Sequence, residues 1–90
     1  MGETEKHATH PAIVVRLKRA EGHLRSVIGM IEQGRPCADL AQQLHAVEAA
    51  VGAAKRELIH DHIDHCLEAG TDGDDAALAL KDLKAITKYL

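Results

Sequence analysis

Residues 37–67 read CADLAQQLHAVEAAVGAAKRELIHDHIDHCL. Within this stretch Leu40, Leu44, Val47, Val51, Ala54 and Leu58 recur at steps of four and three, the spacing that gathers apolar side chains on one stripe of a long helix packed on partners. Further steps of four reach His62 and Cys66, so a hydrophobic stripe runs into metal-competent side chains. Residues four apart lie one above the other on a helix, and an imidazole and a thiol placed so address one point in space. Cys37 stands at the opposite end of the same element. At 1.5 Å per residue it lies on the order of 43 Å from Cys66. One straight helix cannot join them, so a single site made of Cys37, His62 and Cys66 requires Cys37 from another copy of the chain.

Ninety residues make one small domain, 1–90, of a size at which one core is marginal and oligomerisation is a common remedy. The composition is 46% hydrophobic yet 1% aromatic, with Tyr89 the sole ring apart from histidine, so the core must be built from Leu, Ile, Val and Ala. Such cores suit helices packed closely side by side. A net charge of -3 argues against a protein that coats nucleic acid indiscriminately. Its distribution is polarised: Arg16, Lys18, Arg19 and Arg25 cluster early, Asp72, Asp74 and Asp75 late. No apolar run approaches the roughly 20 residues of a bilayer span, and the N-terminal residues lack the apolar core of a secretory signal. A cytoplasmic protein without a membrane partner is expected, its two cysteines serving as thiols and not as a structural disulfide.

Residues 1–9 are polar and without period, which reads as a flexible N-terminal arm. His10-Pro11 announces a helix, since proline fits a first turn and Thr9 or His10 can take the cap region. Ile13, Leu17, Ala20, Leu24, Val27 or Ile28, and Ile31 carry it to about Gln33. Gly34-Arg35-Pro36 breaks it, and so short a break predicts an antiparallel helical hairpin with a second helix from Cys37 to about Glu68. A turn over 69–73 precedes a short third helix, which Asp74 or Asp75 would cap and which carries Leu80, Leu83, Ile86 and Leu90. The expected fold is all-α, a three-helix protomer.

Arg16, Arg19 and His23 step by three and four and so share one stripe of the first helix, beside its apolar face; Lys18 and Arg25 lie on the far flank. In one copy this is an ordinary solvated face. Multiplied across an oligomer it can hold phosphates despite the acidic total. A C-x-x-C pair, a glycine-rich phosphate loop, His-Glu-x-x-His and Gly-x-Ser-x-Gly are all absent from the sequence, and nothing supplies a nucleophile with its base, so an enzyme is not expected.

Arg16-Leu17-Lys18-Arg19-Ala20-Glu21-Gly22-His23 resembles the first-helix motif of the copper-sensitive operon repressor family, which has nickel/cobalt and formaldehyde branches. The spacing from Gly22 to Cys37 and on to His62 and Cys66 is similar without a gap, and the likeness is strong over about residues 10–68, loose beyond. It implies a homotetramer, a dimer of dimers, that represses transcription by binding operator double-stranded DNA without a helix-turn-helix. In the copper branch Cys37 of one protomer would bind metal together with His62 and Cys66 of its dimer partner. Arg16 and Arg19 match basic positions of DNA contact, with Lys18 beside them. Three positions depart from the pattern. His23 stands where glutamine is usual, Pro36 where some copper sensors have a tyrosine supporting the ligand histidine, and Glu5 where nickel-sensing relatives place an N-terminal histidine ligand. His7 and His10 lie near that last position as further candidates for a fourth ligand.

Two thiolates and one imidazole make a soft three-coordinate set that favours Cu(I), released DNA being the response. A fourth nitrogen from the arm would suit Ni(II), Co(II) or Zn(II) instead. A formaldehyde- or thiol-reactive repressor working through Cys37 is a further reading, though the reactive proline near position two is missing and His62 points to metal. A purely structural helical oligomer is the bland alternative.

Overall fold

α1, His10–Glu32, opens on His10-Pro11 because the fixed φ of proline suits a first helical turn, where its missing N–H is not needed. It ends because Gly34 takes φ 76°, a left-handed conformation that costs any residue with a Cβ. The Gly34 N–H donates to the Ile31 carbonyl at 3.0 Å and the Arg35 N–H to that of Met30 at 3.1 Å, the paired bonds that close a helix C-terminus. The Pro36 carbonyl then accepts from the N–H groups of Asp39 at 3.0 Å and Leu40 at 3.1 Å, which starts α2, Cys37–Ala69. Reversal within so few residues lays α2 antiparallel on α1. Hence His10 meets Asp61, Arg16 meets Glu57 and His23 meets Gln43. The molecule is a computed structural model describing residues 10–69 and 73–90, with backbone alone at 66–69 and 73–76. Its described residues form three helices and no strand.

The apolar stripes divide in two. Ile13, Ala20 and Val27 of α1 are buried, as are Val47 and Ala54 of α2; Ile59, also buried, lies about 140° round the helix from Ala54 and off this stripe. Leu17, Leu24 and Ile31, and likewise Leu44, Val51 and Leu58, were expected on the same seams but are 39% to 52% exposed. The reason is geometric: two helices cover only a narrow strip of each other, so of the two heptad positions one closes the hairpin and the other remains outside it.

α3, Gly73–Thr87, packs on α2 and makes no packing contact with α1. Its half-buried positions are Ala79, Leu83 and Ile86, spaced by four and three. Leu80 and Leu90 were expected among them and are exposed, because Leu80 lies about 100° round the helix from Ala79 and Leu90 falls beyond the helix end. Since α3 starts at Gly73, Asp74 and Asp75 occupy its first turn and not the cap; their side chains lie outside the described residues, as do residues 70–72 of the expected turn. Favourable charge at a helix N-terminus needs only the first turn. No helix among the described residues is long and apolar enough to cross a membrane.

Candidate functional site

An α-helix turns about 100° per residue, and with the buried stripe facing the neighbouring helix this fixes where every other residue points. On α1, Leu17, Leu24 and Ile31 turn roughly 40° to one side of the stripe, Arg16 and His23 about 40–60° to the other. On α2, Leu44, Val51 and Leu58 turn one way, Gln43 and Ala50 the other. Because the helices are antiparallel, the two rotations coincide in space. The hairpin therefore has an apolar face and an opposite basic face.

The basic face holds an open groove of about 310 Å³, lined by Arg16, Arg19, Ala20, His23, Ala50 and Ala53. Alanines from α2 leave the floor low, so the long basic side chains of α1 stand over it. His23 is half-buried, and its Nε2 lies 2.6 Å from Gln43 Oε1. The Arg16 Nε lies 3.3 Å from Glu57 Oε1, an ion pair that draws Arg16 toward α2; so exposed a pair contributes little stability. Lys18 and Arg25 sit two residues before Ala20 and Val27 and point almost directly away from α2, outside the groove. Arg25 pairs with Glu21 at 3.4 Å along the outer surface. Of the four expected DNA-contact residues the fold thus groups Arg16, Arg19 and His23 and sets Lys18 apart.

The apolar face carries the metal-competent residues at its two ends. Cys37 is an exposed free thiol at the first residue of α2, seven before Leu44 in the same row. His62 is half-buried, one turn past Leu58. Cys66 follows one further turn along α2, with its side chain outside the described residues. α2 is unbroken from Cys37 to Ala69, so the protomer holds Cys37 apart from His62. Among the described residues no three His, Cys, Asp or Glu side chains gather where they could hold a metal ion. His10 is brought to this same end of the hairpin, its Nε2 4.0 Å from Asp61 Oδ2; His7 and Glu5 lie outside the described residues. Gln43, Glu57 and Asp61 were not singled out from the sequence. Only the register of the antiparallel pair reveals them.

Two faces, one basic and one apolar with thiol and imidazole at its ends, offer two surfaces for binding. Residues 9–90 match the family model described as metal-sensitive transcriptional repressor, and the chain belongs to that family. It is a repressor and not an enzyme. Among curated relatives it is 36% identical over 76 residues to the copper-sensing transcriptional repressor CsoR of Bacillus subtilis, covering 84% of this chain and 75% of that one. It is 33% identical over 78 residues to the CsoR of Mycobacterium ulcerans, 87% and 67% of the two chains. To the copper-sensing repressor RicR of Mycobacterium tuberculosis it is 35% identical over 68 residues, 71% of each. No solved structure gives a significant match.

Proposed function

We propose that this chain is a Cu(I)-responsive repressor which binds operator DNA through the Arg16, Arg19 and His23 face, with Lys18 flanking, and lets go when Cys37 of one protomer and His62 and Cys66 of another hold the metal. It works in the cytoplasm as a dimer of dimers, with residues 1–90 as one domain. The observation that carries the reading is the position of Cys37 and His62 at opposite ends of one exposed apolar row centred on Val51. A second copy laid antiparallel on that row, with a two-fold axis at Val51, sets Leu44 opposite Leu58 and Cys37 opposite the turn that carries His62 and Cys66. Two identical sites result. The donors suit the metal, since two thiolates and an imidazole are a soft set of low coordination number.

Cu(I), when bound, would supply soft bonds tying the start of one α2 to the end of the other. The rest follows from α2 serving both faces. The helix that carries Cys37 and His62 also supplies Gln43, Ala50 and Ala53 to the basic side, so any shift of α2 at the dimer interface moves the groove floor beneath Arg16 and Arg19 and alters their spacing for phosphates. Linkage makes the coupling reciprocal: whatever factor metal takes from DNA affinity, DNA takes from metal affinity, typically about 1–3 kcal/mol. A second reading has support in the placement of His10 beside Asp61, adjacent to His62. A nitrogen from there would complete a four-ligand site for Ni(II), Co(II) or Zn(II).

Two measurements test this. In vitro selection with the reduced, metal-free protein should enrich a duplex that Cu(I) releases; enrichment that persists unchanged with Cu(I) would refute the metal response. A mixed dimer of Cys37→Ala and His62→Ala chains should retain one intact tight Cu(I) site of the wild type's two, because one interface site loses both residues and the other keeps all ligands. A site built within each protomer would leave none.

A further inference from the structure

His23 joins the two walls of the basic groove. Its Nε2 lies 2.6 Å from Gln43 Oε1; with the amide in this orientation the oxygen accepts and the ring's hydrogen sits on Nε2. In the neutral ring this leaves Nδ1 as a bare lone pair. An acceptor there offers nothing to a phosphate. In the doubly protonated ring both nitrogens donate, and the contact with Gln43 is unchanged because Gln43 is uncharged and accepts from either form. The ring is therefore held in place while its charge is free to change.

The groups around it come from both helices. From α1 come Arg16 and Arg19, which share the groove. From α2 come the neutral Gln43, Ala50 and Ala53; the carboxylate of Glu57 lies two turns beyond Ala50, outside this lining, and is engaged with Arg16 at 3.3 Å. α3 does not pack on α1. An incoming phosphate brings negative charge beside the ring and favours its doubly protonated form.

Resting on the assignment of this face to DNA, we propose that His23 is a proton-coupled phosphate clamp, held by Gln43 through Nε2 and taking up a solvent proton on Nδ1 as a DNA phosphate enters the groove beside Arg16 and Arg19. The sign follows from linkage. DNA-bound protein has the higher proton affinity, so binding takes up protons and operator affinity rises as pH falls through the range in which histidines change charge. The groove holds two fixed cations and one that depends on pH.

The test uses the full-length reduced, metal-free protein and the duplex obtained by in vitro selection, at constant ionic strength, at about pH 6 and about pH 8. Wild type should bind several-fold to about tenfold tighter at the acid end for each engaged groove, and calorimetry in two buffers of different ionisation enthalpy should show proton uptake. His23→Gln keeps a neutral hydrogen-bonding side chain and should lose that share of both the pH dependence and the uptake. His23→Lys, charged at both values, should bind at pH 8 nearly as wild type does at pH 6. Circular dichroism checks that each variant remains helical. If Arg19→Ala weakens binding while His23→Gln matches wild type in pH dependence and proton count, the clamp is wrong and the DNA face stands. If Arg19→Ala binds as wild type does, the face is wrongly assigned and the clamp falls with it.

Discussion

Replacing Val51 with aspartate places a carboxylate at the centre of the exposed apolar row, where the proposed two-fold axis would bring two of them together. The six side chains of that face are 39% to 52% exposed, and each would hide on the order of 80 Å² against a partner, about 2 kcal/mol apiece at roughly 25 cal/mol/Å². Together they offer roughly 500 Å² per protomer, comparable with the apolar share of a standard interface. In an isolated hairpin the change is mild, because Val51 is 45% exposed and aspartate loses only a few tenths of a kcal/mol in helix propensity. In the dimer each copy forfeits about 1–2 kcal/mol of apolar burial, and each desolvated carboxylate costs several more. A penalty of at least about 5 kcal/mol raises the dissociation constant by three to four powers of ten. Light scattering and sedimentation at micromolar concentration should show wild type as an oligomer and Val51→Asp as a helical monomer. Ala49→Asp, on the outward side of the same helix, should retain the dimer. A Val51→Asp protein that assembles like wild type, or a wild type that is monomeric, would refute the reasoning and remove the shared metal site with it.

Gly34→Ala should cost about 1–2 kcal/mol in thermal or denaturant unfolding, since φ 76° forces a Cβ into the left-handed region; an unchanged midpoint would mean the turn relaxes freely. Ile59→Ala should lose about 2–5 kcal/mol because Ile59 is 2% exposed, again read from unfolding curves. Glu57→Gln should strengthen binding to the selected duplex severalfold, most at low salt, by releasing Arg16 from its 3.3 Å ion pair and removing a negative charge from the groove; weaker binding would show that Glu57 positions Arg16 instead. Cu(I) affinity should fall on acidification, since protons compete for the thiolates of Cys37 and Cys66, and the fall should be shallower in Cys37→Ala; a flat profile in wild type would exclude thiolate ligation.

Helix-making is local, and so the three helices and the turn were legible in the chain. His10-Pro11 marks a start, Gly34-Arg35-Pro36 a stop and a restart, and the steps of four and three mark the faces, all consequences of backbone sterics and helical period that need no distant partner. The metal candidates and the basic stripe came from the same period, and the length of α2 alone separated Cys37 from His62. What period cannot say is which half of a heptad pattern a given neighbour will cover. The tertiary structure decided that Val47 and Ala54 close the hairpin while Leu44, Val51 and Leu58 remain open, that α3 packs through Ala79 in place of Leu80, and that Lys18 leaves the groove Arg16 and Arg19 share. It also brought Gln43 to His23 and Glu57 to Arg16, residues 20 and 41 positions apart whose meeting depends on the register of two antiparallel helices. That register is set by how side chains of particular volume nest between two particular helices, a property of the packed pair that neither helix carries in its own sequence.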